Sequence, residues 1–428
     1  MREYSLILTA LILLSKSAFA RDKEMVEKVA SGEVQTAKAS WWGFEAEDST
    51  DALQAAINSG AKKLIVDNTG KPWVVRPIKL ASNQQIIFES GVEVVAKPGE
   101  FKGKGDCLFR SAGGKNIALI GYGATLRMRR AEYAGAGYEK SEWRHLLSFC
   151  SCSNISILGL TIAESGGDGI YLGTATKGVT NSNVVIKDVV CDKHYRQGIS
   201  VITAENLLVE NTIMRGTAGT DPQSGIDFEP NQPSERLANI VLRNCVTERN
   251  SGSGYMFYLK FLSSESAPVS VRFEKCSSTG DIVASARIAN GNPPKEAVTG
   301  KIEFIGCTFK DSANAGVLVS DVPVTGCKVR FVDCSILDAA AGKPASAPIV
   351  FQSRRGAAQP IGGVEFVNCT VRDSLDRNPL AYIDGGSTAG MRDVGGTINL
   401  ERNGVRQTIK LAPELLEQWF AASRGLSR

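Results

Sequence analysis

Five short segments between residues 142 and 260 hold the side chains best suited to proton transfer and anion recognition. They are Glu142-Trp-Arg-His145, Ser165-Gly-Gly-Asp-Gly-Ile-Tyr171, Lys193-His-Tyr-Arg-Gln-Gly198, Thr220-Asp-Pro-Gln223 and Gly225-Ile-Asp-Phe-Glu-Pro-Asn231. Both histidines of the 428-residue chain, His145 and His194, lie within them. Asp227 and Glu229 lead as an acid–base pair, with Asp168 as the alternative partner, because neighbouring carboxyl groups push one another toward a protonated and an ionised member. Arg196, His194, Lys193, Tyr171, Gln223, Asn231, Arg144 and His145 are the candidates for holding a substrate beside them.

Three chemistries fit these residues. Carboxyl groups roughly 6.5–9.5 Å apart suit an inverting glycoside hydrolase, one protonating the leaving oxygen while the other activates water. Lys193, His194, Tyr195 and Arg196 could instead supply the base and clamp for proton abstraction from a uronic acid, as in a lyase or epimerase. Asp221, Asp227 and Glu229 would then hold a calcium ion. The third is glycan binding without reaction. Hydrolysis is the preferred reading and needs no cofactor; calcium belongs only to the lyase or epimerase alternative. An ordinary solvated strand face would also tolerate these carboxylates, but not their concentration with both histidines in one stretch.

A repeat must bring the segments together. Stretches beginning at Asn116, Asn154, Asn183, Asn206 and Asn239 read NIALIGYGA, NISILGLTI, NVVIKDVVC, NLLVENTIM and NIVLRNCVT, and the pattern continues as VSVRFEKCS, GKIEFIGCTF, KVRFVDCSI and GVEFVNCTV. Each alternates apolar and polar residues, the period of a strand with one buried face. A second strand recurs between them as Gly169-Ile-Tyr-Leu172, Gly198-Ile-Ser-Val201, Gly225-Ile-Asp-Phe228 and Gly254-Tyr-Met-Phe257. Short strands repeating without helices between them predict an all-β parallel β-helix of roughly ten coils. In that register Tyr171, Ser200, Asp227 and Met256 share an outward column, which leaves Asp227 on the outer surface. Cys245, Cys276, Cys307, Cys334 and Cys369 share an inward one, at steps of 27 to 35 residues. Parallel side chains in a stack suit reduced, packed thiols rather than disulfides, which need converging Cβ atoms.

The ends require caps. Asp48-Ser-Thr50 is an N-cap signal for a helix through Ile57, Lys63–Val66 follows as a strand, and Pro413–Phe420 reads as a short closing helix. Asp48 to Val66, with Ser82-Asn83 and Glu89-Ser-Gly91, resembles the opening of the pectate-lyase-like right-handed β-helix superfamily. That resemblance covers residues 40–410 and implies a carbohydrate-active protein on a fold that hosts hydrolases, lyases, epimerases and tailspikes. Within it, polygalacturonases carry a double aspartate where Gly167-Asp168-Gly169 has one, so their assignment is not carried over.

Residues 1–20 read as a leader peptide: Arg2, an apolar run from Leu6 to Leu14, and Ala18-Phe19-Ala20 before a cut at Arg21. That run is too short to span a bilayer, and no later segment is apolar enough to do so. The expected location is periplasmic or secreted, with residues 21–40 as a lead-in and 41–428 as one domain. A formal charge of +4 is too small for a nucleic-acid partner. The expected partner is a polysaccharide or oligosaccharide, with an anionic one compatible with the arginines; the oligomeric state is left open.

Overall fold

Each sequence repeat closes one coil. After Gly173 the chain runs through strands Asn181–Lys187, Val190–Asp192 and Ile199–Val201. Each pairs in parallel with its counterpart one coil on: Val184 lies opposite Leu207, Cys191 opposite Met214 and Ile199 opposite Ile226. The result, a computed structural model, is a parallel β-solenoid of about 11 turns. It describes residues 18–291, 297–353, 359–385 and 389–424. The expected leader therefore lies, up to residue 17, outside the described residues.

Stacked like residues hold the coils together. Phe273, Phe304, Phe331 and Phe366 stack in the interior with ring centroids 4.3, 4.9 and 5.1 Å apart. All ten cysteines are unpaired, and the five of the inward column are buried as the register requires. Their thiols point to carbonyls one coil back, as from Cys245 Sγ to the Val209 oxygen at 3.3 Å. The asparagines that open the repeats form a ladder of their own. Asn116, Asn154, Asn183, Asn206 and Asn239 adopt left-handed backbone angles, φ 51° to 57°, which asparagine tolerates better than most residues. Each donates its Nδ2 to Oδ1 of the ladder asparagine before it, starting from Asn83, over 2.7 to 3.0 Å.

Both ends are covered. Thr50–Ile57 is helical as expected, and the Asp48 carboxylate accepts the Thr50 N–H at 3.0 Å while binding Lys97 and Arg76. Residues 21–40 are more than a lead-in. Lys23–Ala30 is a helix, and Thr36–Lys38 is the outermost strand, paired in parallel with Lys63–Ile65. An open first coil would expose an unpaired sheet edge, and this segment covers it. At the far end Met391–Arg402 and Val405–Leu411 form an antiparallel pair, followed by the helix Pro413–Arg424. No described helix is long and apolar enough to cross a membrane.

Candidate active site

The candidate residues sit on the outer face of an 11-stranded sheet. Successive strands place Tyr171, Ser200, Asp227 and Met256 in one column, the register expected from the sequence, and extend it back to Arg110 and Ser148. Phe228 pairs with Phe257, so the next outward residue, Glu229, stands beside Tyr258. The turns leading into these strands stack likewise. Leu146 N–H donates to the Asp168 carbonyl, Gly169 to Gln197 and Gly198 to Ser224, which brings His145, Asp168 and Gln197 onto consecutive coils.

Arg196 is the centre of this arrangement. Its Nη2 lies 2.6 Å from Glu229 Oε2, its Nη1 3.8 Å from Asp168 Oδ2, and its Nε 3.7 Å from Glu142 Oε2. One guanidinium, only 14% exposed, thus faces three carboxyl groups. Gln197 Nε2 donates to Asp227 Oδ2 at 3.0 Å, while its Oε1 accepts the Ser224 N–H.

Asp227 points outward, but it is not on the surface. It and Asp168 are both fully buried, because Arg196, Gln197 and Glu229 close over the face from which they project. Burial raises the Asp168 carboxyl to about 7, with Arg196 and Ser200 pulling the other way. Burial, then the neighbouring Glu229 and Asp168, lift Asp227 well above the usual carboxylate range, against Arg196 and Arg287. For Arg196, burial opposes the charge, but Asp168, Glu229 and Asp227 together hold it protonated. Asp168 and Asp227 therefore keep their protons to higher pH than ordinary carboxyls, beside a glutamate ion-paired to Arg196.

His145 completes the cluster. Its Nδ1 accepts the Asp168 backbone N–H at 3.1 Å. Its ring stacks on Tyr171 with centroids 4.3 Å apart and planes within 2°. Burial, reinforced by Arg196, pushes the imidazole down to about 3. Beside the pair lies a cleft of about 340 Å³, lined among others by Arg110, Ser148, Tyr171 and Trp143. Trp143 is 53% exposed.

Five of the sequence candidates are placed elsewhere. Arg144 is fully buried and spends its guanidinium on the carbonyls of Phe101, Lys102 and Glu139, anchoring a loop instead of meeting a ligand. His194 is also buried, with Nδ1 2.8 Å from Ser165 Oγ. It packs so tightly on Gly169 that a Cβ there would sit 2.5 Å from its Nε2. Gln223 is tied into its own loop, accepting from the Gly219 N–H and donating to Asp221, both at 2.9 Å. Asn231 is exposed, its backbone held by Glu235, and Lys193 is exposed beside Gly216. Asp221 does not join Asp227 and Glu229, and among the described residues no three His, Cys, Asp or Glu side chains converge as a metal site. The calcium set considered from the sequence is thus not assembled. Glu142, Trp143, Gln197 and Arg110 belong to the site although the sequence reading did not select them. Glu142 and Trp143 shared a segment with His145, and Gln197 stands one coil from Asp168, whereas nothing in the sequence marked Arg110.

No curated protein matches the chain. The family described as the right handed beta helix region matches residues 139–389. Three solved structures are similar in fold. The A-module of a mannuronan C-5 epimerase from Azotobacter vinelandii superposes with a TM-score of 0.60 at 14% identity, over 86% of this chain and 96% of its own. A surface adhesin of Streptococcus pneumoniae gives 0.55 at 11%, over 86% and 91%. A family 28 exopolygalacturonase of Yersinia enterocolitica gives 0.53 at 12%, over 84% and 78%.

Proposed function

The chain belongs to the right-handed β-helix family, and we propose that it is an exported carbohydrate-active enzyme, a glycoside hydrolase that cleaves a polysaccharide or oligosaccharide. One observation carries this reading: Asp168, Asp227 and Glu229 gather around the single guanidinium of Arg196, beside a cleft walled by Trp143 and the Tyr171–His145 stack. Asp168, which keeps its proton up to about pH 7, donates it to the leaving oxygen; Glu229, released from its ion pair with Arg196, activates water. A substrate hydroxyl or anionic group that exchanges for Glu229 at Arg196 draws the guanidinium aside and uncovers the buried acids. An epimerase of mannuronan and an exopolygalacturonase share the fold, which agrees with a carbohydrate substrate.

The test is a panel of glycans with products weighed by mass spectrometry. Cleavage with gain of one water supports hydrolysis. An ultraviolet-absorbing unsaturated product replaces it with elimination, and unchanged mass with an altered sugar replaces it with epimerisation. Binding without any product assigns the chain to glycan recognition alone.

A further inference from the structure

Arginines on the strand faces of this solenoid are regularly matched by a carboxylate on an adjacent coil. Arg215 binds Asp192 at 2.8 Å, Arg243 binds Glu274 at 2.9 Å and Arg330 binds Glu365 at 2.7 Å. Arg110 departs from the pattern. It is exposed, and among the described residues its guanidinium meets no carboxylate or hydrogen-bond acceptor. The groups near enough to feel its charge are the thiols of Cys107 and Cys150. A planar guanidinium left unpaired at the wall of a cleft is the group suited to grip a planar anion through two parallel hydrogen bonds.

The other wall is Trp143, half-exposed, with an indole face of the kind that stacks on the C–H face of a sugar ring. Lys104, Lys140 and Glu142 line a second hollow that Trp143 also borders, with Lys104 ion-paired to Glu139 at 2.8 Å. Register fixes the distance to the chemistry. Arg110, Ser148, Tyr171, Ser200 and Asp227 occupy successive strands, so at roughly 4.8 Å per strand Arg110 stands roughly 19 Å along the axis from Asp227. Tyr171, on the coil that carries Asp168, is only two strands from Arg110, roughly 10 Å, so a glycan lying along the solenoid would reach Arg110 within about two sugars of the bond being cleaved.

We propose that the cleft between Arg110 and Trp143 is a flanking subsite for an acidic sugar, Trp143 stacking on the ring and Arg110 taking its carboxylate or sulfate ester. The proposal rests on the carbohydrate reading of the neighbouring carboxyl cluster and adds to it a charge selection that the cluster itself does not impose.

Affinity electrophoresis of the full chain, Arg110→Gln, Arg110→Lys, Trp143→Ala and Asp168→Asn tests it, in gels holding polygalacturonate or alginate (carboxylate), a sulfated galactan (sulfate), or a neutral galactan. Arg110 is exposed, so its variants should melt with the wild type, which the same preparations can verify. Arg110→Gln should weaken binding to one acidic class by roughly tenfold or more and flatten its salt dependence, leaving neutral binding unchanged. Arg110→Lys, which keeps the charge without the fork, should fall between. Trp143→Ala should weaken binding to every glycan that enters the cleft. The proposal is overturned if Arg110→Gln binds acidic glycans as tightly as wild type, or if wild type prefers no acidic glycan. A wild type that cleaves only neutral chains overturns the subsite and leaves the hydrolase standing. Acidic binding that needs Arg110, without any reaction, does the reverse. No glycan binding at all removes both.

Discussion

His145 Nδ1 and Asp168 Oδ2 lie 3.2 Å apart, and the same nitrogen accepts the Asp168 backbone N–H. An imidazole nitrogen that accepts an N–H carries no proton of its own, and its one lone pair is already engaged. The electrostatics agree, with burial moving His145 down to about 3 and Asp168 up to about 7. The contact is therefore a close approach of a neutral imidazole to the Asp168 carboxyl, not an ion pair, at neutral pH.

Asp168 as the proton donor sets the pH dependence. A general acid must be protonated, so kcat/KM should be maintained below about 7 and decline as pH rises through it. Asp168→Asn should lower turnover by at least about 100-fold. A pH–rate profile that stays flat from pH 6 to pH 8 would remove Asp168 from this role.

Asp227→Asn should separate stability from activity in a pH-dependent way. A carboxyl whose folded pKa is raised contributes stability that is complete below its unfolded pKa and lost as pH climbs through the folded one. Wild type should thus lose more stability toward alkaline pH than the variant, which keeps only the Asp168 contribution, and Asp227→Asn should melt above wild type at pH 8.5. Its activity should be largely lost. Thermal melts across pH, paired with assays on one preparation, check both halves.

Arg196→Gln leaves Glu229, Asp168 and Glu142 facing one another without their cation. Removing one partner of a buried ion pair is costly, so stability should fall by about 3 kcal/mol. Arg196→Lys should recover part of that but not the bond to Glu229 made by a fixed fork. Denaturant titration at pH 7 measures the difference.

His194 and His145 make the fold acid-sensitive. Both are held neutral by burial, with folded values of about 3, against an unfolded value of about 6.5. Their contribution is complete above about pH 6.5 and is lost as pH falls toward 3. His194→Gln should melt lower than wild type at pH 7, because the Ser165 contact is lost, yet decline less steeply between pH 6 and pH 4. An unchanged slope would show that His194 is not a source of the acid loss.

Cys307→Ala should cost on the order of 1 kcal/mol through the cavity it leaves, with glycan turnover unaffected. Thiol titration of the denatured, unreduced protein should find the five ladder cysteines free. Finding them mostly oxidised would contradict the stacked geometry.

The sequence disclosed the coil, its register and the column that holds Tyr171, Ser200 and Asp227, because strand alternation and the asparagine spacing are local and repeat many times. Burial on the outer face was not legible. Asp227 occupies an outward position by period, yet the long side chains of Arg196 and Gln197 fold over it, and no periodic rule describes where a side chain ends. The same limit explains Arg144 and His194. Their residue types suggest ligands, but Arg144 donates to loop carbonyls and His194 Nδ1 meets Ser165, contacts that follow no recurring pattern in the sequence. Arg110 stood in a plain strand, and only the carboxylate partners of the other arginines set it apart.

The asparagine ladder keeps a constant step while the chain between its rungs does not. Successive rungs are 33, 38, 29, 23 and 33 residues apart, yet each meets its neighbour through a hydrogen bond of 2.7 to 3.0 Å. The surplus is carried outside the coil, in the segments that hold Trp143, Arg144 and Gln223. Loop length and coil spacing are thus independent variables. A duplicated coil would extend the outer groove by one rung, and a lengthened loop would remodel its wall, without altering the hydrogen bond between rungs. Evolution can change what this surface grips without renegotiating how the molecule folds.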